Sequence, residues 1–195
     1  MRISGGVLGG RKVEVPPGII RPSMDRMRES VFAVLGDLSN RSFLDLFSGS
    51  GIIALEAASR GASPVEAVEA DPLKRKILLK NVSIAPIRIQ CRFMAVELYI
   101  RRSRRAFDFI FCDPPFSYRF KGDLLLSIAG SALMHPDSLL MIHRPKAEGP
   151  VFSGPPEAGG ESGLLTLKET RYYGTSELDY FEKIRKNPAW KEKIT

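Results

Sequence analysis

The sequence predicts an α/β domain built on a mainly parallel sheet, and three observations point there. Apolar strand-like runs alternate with helix-like segments along most of the chain, the pattern of βαβ units. A glycine turn, Gly49-Ser50-Gly51, stands between the first such strand and the following helix. Finally, 195 residues with 44% hydrophobic and 26% charged side chains suit one domain with a sizeable core.

The elements follow in order. Residues 1–22 are rich in glycine, proline and basic side chains, with Ile3 and Val13 to Val15 flanking four glycines, which predicts a short β-hairpin or arm. Asp25 is read as the N-cap of a helix carrying Met27, Val31, Phe32, Val34 and Leu35, stopped by Gly36. Phe43 to Phe47 reads as a buried strand, Ile52 to Arg60 as a helix and Val65 to Glu69 as a second strand. Pro72 to Asn81 follows as a helix, with proline in its first turn. Ile87 to Phe93 alternates as a strand, and Val96 to Arg102 reads as a short helix. Phe107 to Cys112 is a strand, Leu124 to Leu133 a helix and Leu139 to Ile142 a strand. Residues 145–163 form a loop. Two strands around Tyr173-Gly174-Thr175 then make a hairpin at the sheet edge, and a basic tail over 185–195 frays. The main domain is thus expected over 23–184.

The net charge of +7 and a pI near 9.6 make nucleic acid a live partner. Cys91 and Cys112 lie in apolar strands and read as free buried thiols. His135 and His143 lack ligand spacing, so both read as structural or surface residues and no metal site is expected. The N-terminus shows no apolar signal core and no run long enough to span a membrane, so a cytoplasmic protein is expected.

Two motifs carry the chemistry. Asp45-Leu46-Phe47-Ser48-Gly49-Ser50-Gly51 follows a strand and opens a helix, while Glu69 ends the next strand at the spacing of an acid that holds ribose hydroxyls. No Lys-Ser or Lys-Thr pair follows the glycines, which disfavours a Walker phosphate loop. Ala54 at the last place of a dinucleotide fingerprint leaves that ligand open, but S-adenosyl-L-methionine fits better. Asp45 would face its ammonium and Glu69 its ribose. Asp113-Pro114-Pro115-Phe116 ends the fourth strand at the same sheet edge. There the Asp113 carboxylate and the Pro114 carbonyl would accept both hydrogens of an exocyclic amine, and Phe116 offers a stacking face for a flipped base. The cluster Arg101, Arg102, Arg104 and Arg105 reads either as a salt-sensitive phosphate contact with RNA or, as it precedes a strand and active sites lie at strand carboxyl ends, as an exposed linker at the opposite edge, the favoured reading.

With these motifs in place, the chain resembles the bacterial small-subunit ribosomal RNA guanine-N2 methyltransferase family (RsmD-type). The resemblance runs from Met1-Arg2-Ile3-Ser4-Gly5-Gly6 and Gly10-Arg11-Lys12 through Arg21-Pro22-Ser23-Met24-Asp25-Arg26-Met27-Arg28-Glu29. It continues through the glycine turn, Ser59-Arg60-Gly61-Ala62, Glu69, the Asp-Pro-Pro-Phe turn and Arg171-Tyr172-Tyr173-Gly174. It implies a Rossmann-like class I methyltransferase domain with a seven-stranded, mainly parallel sheet and helices on both faces. It also implies a monomeric enzyme that uses S-adenosyl-L-methionine on 16S ribosomal RNA in the small ribosomal subunit. Carried over by position, Asp45, Phe47, Ser48, Gly49, Ser50, Gly51, Glu69, Ala70, Met94, Ala95 and Asp113 would hold the cofactor. Asp113, Pro114, Pro115 and Phe116 would bind the guanine, and Arg11, Lys12, Arg21, Arg26 and Arg28 would meet RNA. The chain departs from the family at Phe93-Met94, where relatives carry Gly-Asp, and at Ile142, where they often carry Glu. Related chemistries on this pattern are DNA adenine-N6 methylation, protein glutamine methylation and an inactive RNA-binding scaffold.

Overall fold

The structure is a computed structural model that describes residues 1–15, 22–152 and 163–184. Its centre is a seven-stranded sheet in the order β3-β2-β1-β4-β5-β7-β6. The strands are β1 (Phe43–Leu46), β2 (Val65–Glu69), β3 (Gln90–Phe93), β4 (Phe107–Cys112), β5 (Met134–Pro145), β6 (Leu165–Tyr173) and β7 (Ser176–Lys183). The β1–β2, β1–β4, β2–β3 and β4–β5 pairs are parallel, whereas β5–β7 and β6–β7 are antiparallel. The predicted terminal hairpin is therefore β6–β7, with β7 inserted against β5. Strand order reverses at β1, so a crevice opens beyond the carboxyl ends of β1 and β4, where open α/β sheets bind ligands.

The helices are α1 (Pro22–Leu35), α2 (Ile52–Ser59), α3 (Arg75–Val82), α4 (Val96–Arg102) and α5 (Lys121–Gly130). Strand periodicity sorts the core into two layers. Phe43, Val65, Ala67, Phe111 and Met141 pack with Val31 and Phe32 of α1, the apolar length of α2 and Leu78 of α3. Leu44, Leu46, Val68, Ile110, Cys112, Leu140 and Ile142 pack with α4 and α5 on the other face. Helices thus cover both faces, as the resemblance implies. All eight residues of α2 are buried, which explains why it reads as apolar all round rather than as an amphipathic stripe.

Several boundaries differ from the sequence reading. The first helix begins at Pro22, not after Asp25, and Asp25 lies in its first turn. Proline suits that position because its missing N–H is unused there. The strand expected from Ile87 is confined to Gln90–Phe93, and α5 starts three residues early, at Lys121.

The N-terminal hairpin is reduced to one antiparallel bridge, Arg2 with Lys12, around a 3-10 turn at Gly6–Leu8. This segment is fastened to the domain rather than standing off it. Ile3, Leu8 and Val13 enter the first core layer. Ser4 N–H donates to Glu56 Oε1 at 2.6 Å, and Leu8 N–H donates to Ser59 Oγ at 2.9 Å. The expected tail over 185–195 lies outside the described residues. No helix among the described residues is long and apolar enough to cross a membrane.

Candidate active site

The turn after β1 is built from buried polar bonds. Asp45, 1% exposed, accepts from Ser48 Oγ and from Ala54 N–H through Oδ2. Burial drives its carboxyl up to about 7, against those two hydrogen bonds, with the negative charges of Asp113 and Glu69 adding to the rise. Asp45 lies behind the turn and does not itself line the cavity that opens beside it.

The two glycines have different reasons to be glycine. Gly51 adopts φ +79°, and a Cβ there would lie 2.5 Å from Leu78 Cδ1, so it lets α3 pack against the turn. Its lack of a Cβ thus serves helix packing. Gly49, at φ +56°, has nothing nearer to such a Cβ than the Phe47 carbonyl at 4.0 Å, and it faces open space. Its N–H donates to Glu69 Oε2 at 2.7 Å, while Asp71 N–H donates to Glu69 Oε1 at 2.8 Å. Lys74 Nζ stands 3.7 Å from the same Oε2. Phe47 holds φ +62°, rare for a residue with a side chain, and meets Tyr118 edge-on at 5.5 Å.

A cavity of about 370 Å³ opens beside this turn. It is lined by Phe47, Gly49, Glu69, Lys74, Asp113, Pro114, Pro115, Phe116, His143 and Ser176. Both predicted motifs therefore face one space at the carboxyl edge. Asp113 is placed by β4, its N–H bonded to the Leu46 carbonyl at 3.3 Å. Pro114 is buried, and Phe116 is 38% exposed.

Three lining residues were not expected. His143, read as structural or surface, is 3% exposed, with Nδ1 2.8 Å from Asp113 Oδ1. Its ring centroid lies 5.8 Å from that of Phe116. The available signal was position: His143 directly follows the predicted strand Leu139 to Ile142, at its carboxyl end. Lys74 and Ser176 gave no comparable sign.

Other predicted residues fall elsewhere. Ser48 and Ser50 are buried within the turn, where Asn81 Nδ2 donates to the Ser50 carbonyl at 2.8 Å. Ala70 is exposed beyond β2, and Ala95 is the exposed N-cap of α4. Met94 is half-buried and lines a separate groove with Glu66, Arg92, Arg102, Arg104 and Arg105. Arg11, Lys12 and Arg26 are exposed, and Arg21 lies outside the described residues.

Arg28 needs correction as an RNA contact. It is 3% exposed, and its guanidinium is committed to Glu56 Oε1 at 2.9 Å, Asp25 Oδ1 at 2.9 Å and the Arg2 carbonyl at 2.8 Å. Glu56 is fully buried and also accepts from Arg60. Arg28 locks α1 and the N-terminal segment onto α2.

The cavity suits S-adenosylmethionine on its own chemistry. Glu69 keeps acceptor capacity beyond its two backbone bonds, as a carboxylate offers about four lone-pair sites. Gly49 leaves backbone-wide space beside it, and Asp45 supplies a poised acid behind the turn. Among the described residues, no three His, Cys, Asp or Glu side chains cluster to hold a metal ion.

Sheet order, helix layers and the placing of both turns define the fold of a class I methyltransferase. Solved structures share it. The Escherichia coli protein yhhF superposes with a TM-score of 0.80 over 94% of this chain and 97% of that one, at 23% identity. A Thermus thermophilus protein does so with a TM-score of 0.76 over 93% and 99%, at 29% identity. The family model described as Conserved hypothetical protein 95 matches residues 1–181, and the chain belongs to that family, the RsmD-type group of the sequence resemblance. Ribosomal RNA small subunit methyltransferase D of Escherichia coli K12 is 34% identical over 123 residues, 60% of each chain. The protein of the same name from Haemophilus influenzae is 29% identical over 157 residues, 75% of this chain and 79% of that one. The match thus spans about three fifths of the Escherichia coli relative's length.

Proposed function

We propose that the protein transfers the methyl group of S-adenosylmethionine to the exocyclic N2 amine of a guanine in 16S ribosomal RNA. The observation that carries this reading is the shared cavity, lined by Gly49 and Glu69 together with Asp113 to Phe116. The relatives named ribosomal RNA small subunit methyltransferase D support RNA as the substrate class.

When bound, the cofactor supplies an electrophilic sulfonium methyl. Glu69 accepts ribose hydroxyls, with its own carboxylate steadied by Gly49 N–H and Asp71 N–H. Asp45 provides the negative counterpart of an ammonium at the glycine turn. Asp113 and the Pro114 carbonyl accept the two N–H hydrogens of the target amine. They thereby aim a lone pair that resonance with the base otherwise delocalises. Asp113 then takes the released proton, and Phe116 stacks on the extruded base. Arg11, Lys12, Arg21 and Arg26 contact phosphates, and the protein works as a cytoplasmic monomer on the small ribosomal subunit, without a metal ion.

The test is incubation with methyl-labelled cofactor and three acceptors: small subunits from a strain lacking the enzyme, duplex DNA, and total protein from the same strain. Label in 16S RNA alone is expected. Label confined to DNA or protein contradicts the RNA assignment.

A further inference from the structure

Adjacent parallel strands deliver one imidazole and one carboxylate to the same edge of the sheet. Cys112 of β4 is in register with Ile142 of β5, and the next residues are Asp113 and His143. His143 Nδ1 reaches Asp113 Oδ1 at 2.8 Å. The ring is buried, and the Phe116 ring lies beside it at 5.8 Å between centroids. His143 Nε2 is buried with no hydrogen-bond partner among the described residues. Among the described residues, Nδ1 is the ring nitrogen with a partner, and that partner is the carboxylate of the cavity.

We propose that His143 is the positioning residue of the amine site, holding Asp113 by Oδ1 so that Oδ2 is presented to the hydrogen of the target amine. The inference rests on reading the cavity as an amine methylation site. Asp113 needs such a partner. Its side chain is 27% exposed in an open cavity, where a free carboxylate would sample several rotamers and meet the amine in only some of them. An ionised Asp113 selects the tautomer with hydrogen on Nδ1, leaving a bare lone pair on Nε2. One oxygen of the carboxylate is then fixed by the buried ring and the other keeps its lone pairs for substrate. In this reading His143 acts through Asp113, the carboxylate its Nδ1 reaches. The two residues are 30 positions apart in sequence, so their pairing is visible only in the fold.

The test compares the wild type, His143→Leu and His143→Asn in steady-state methylation of small subunits, with thermal melting and cofactor affinity measured alongside. Misplacing a reacting group by about 1 Å costs on the order of 100-fold in rate. His143→Leu is therefore expected to lower kcat about 10- to 100-fold while KM for S-adenosylmethionine moves less than about twofold. His143→Asn, whose amide nitrogen reaches the Nδ1 place and can donate to Asp113, is expected to recover most of kcat. Full activity in His143→Leu, or equal loss in both variants, overturns the proposal. A second readout needs no substrate. Imidazole 15N spectra of the wild type should show hydrogen on Nδ1 and a bare Nε2, a pattern lost in Asp113→Ala. A spectrum unchanged by Asp113→Ala overturns the pairing. A changed spectrum in a protein that methylates nothing leaves the pairing standing and takes down the reading of the cavity instead.

Discussion

Gly49 N–H donates to Glu69 Oε2 at 2.7 Å, joining the turn after β1 to the acid that ends β2 across twenty positions of sequence. The bond makes the two halves of the proposed cofactor site one rigid unit. A backbone donor also leaves the other lone pairs of the carboxylate directed to the cavity.

Glu69→Ala should therefore weaken S-adenosylmethionine binding about 10- to 100-fold, the worth of charge-assisted hydrogen bonds of roughly 1.5–3 kcal/mol. Isothermal titration checks it, and Glu69→Gln should lose less. An unchanged Kd in Glu69→Ala would remove the acid from the cofactor site.

Asp113→Ala should behave differently. It takes an acceptor from the reacting amine, so kcat should fall about 100-fold or more while cofactor affinity changes little. Single-turnover rates at saturating cofactor separate the two effects. A loss seen only in cofactor Kd would move Asp113 out of the amine site.

Asp45 gives a pH signature. Its carboxyl is raised by burial from 3.8 to about 7, so the folded chain keeps a proton that the unfolded chain has already released. The resulting stability is complete below about pH 4 and is lost as pH rises through 7, at about 1.4 kcal/mol per unit. In urea melts, Asp45→Asn should gain on the wild type steadily between pH 4 and 7 and hold a constant difference above. A difference independent of pH would show that Asp45 titrates normally. Binding of the cationic cofactor should also tighten from pH 6 to 8 in the wild type and not in the variant.

Arg28 and Arg26 lie two residues apart on α1 and should report opposite things. Arg28→Ala leaves buried Glu56 short of a charged partner and should cost about 3–5 kcal/mol of stability. Arg26→Ala, at an exposed position, should leave the melting temperature alone and reduce the salt dependence of RNA binding by about one phosphate contact. A stability loss in Arg26→Ala, or none in Arg28→Ala, would contradict this division.

Much of the site was legible because its signals are local. The glycine turn, Glu69 and the Asp-Pro-Pro-Phe turn each sit at a strand end, and strand ends follow from apolar periodicity. What escaped depends on contacts between distant elements. Arg28 resembles any charged residue of an amphipathic helix until α2 brings Glu56 against it, 28 positions away. The purpose of Gly51 is visible only once Leu78 of α3 is in place. His143 follows the strand read from sequence, Leu139 to Ile142, whereas β5 runs on through it to Pro145, and a lone histidine acquires meaning only from the carboxylate that β4 sets beside it.

The central claim is the identity of the methylated atom, and nucleoside mass spectrometry of 16S RNA tests it most directly. After incubation of unmodified small subunits with the protein and S-adenosylmethionine, the digest should contain one new N2-methylguanosine, absent with Asp113→Ala. A new methyl on adenine, or on a ring nitrogen or carbon rather than the exocyclic amine, would contradict the account.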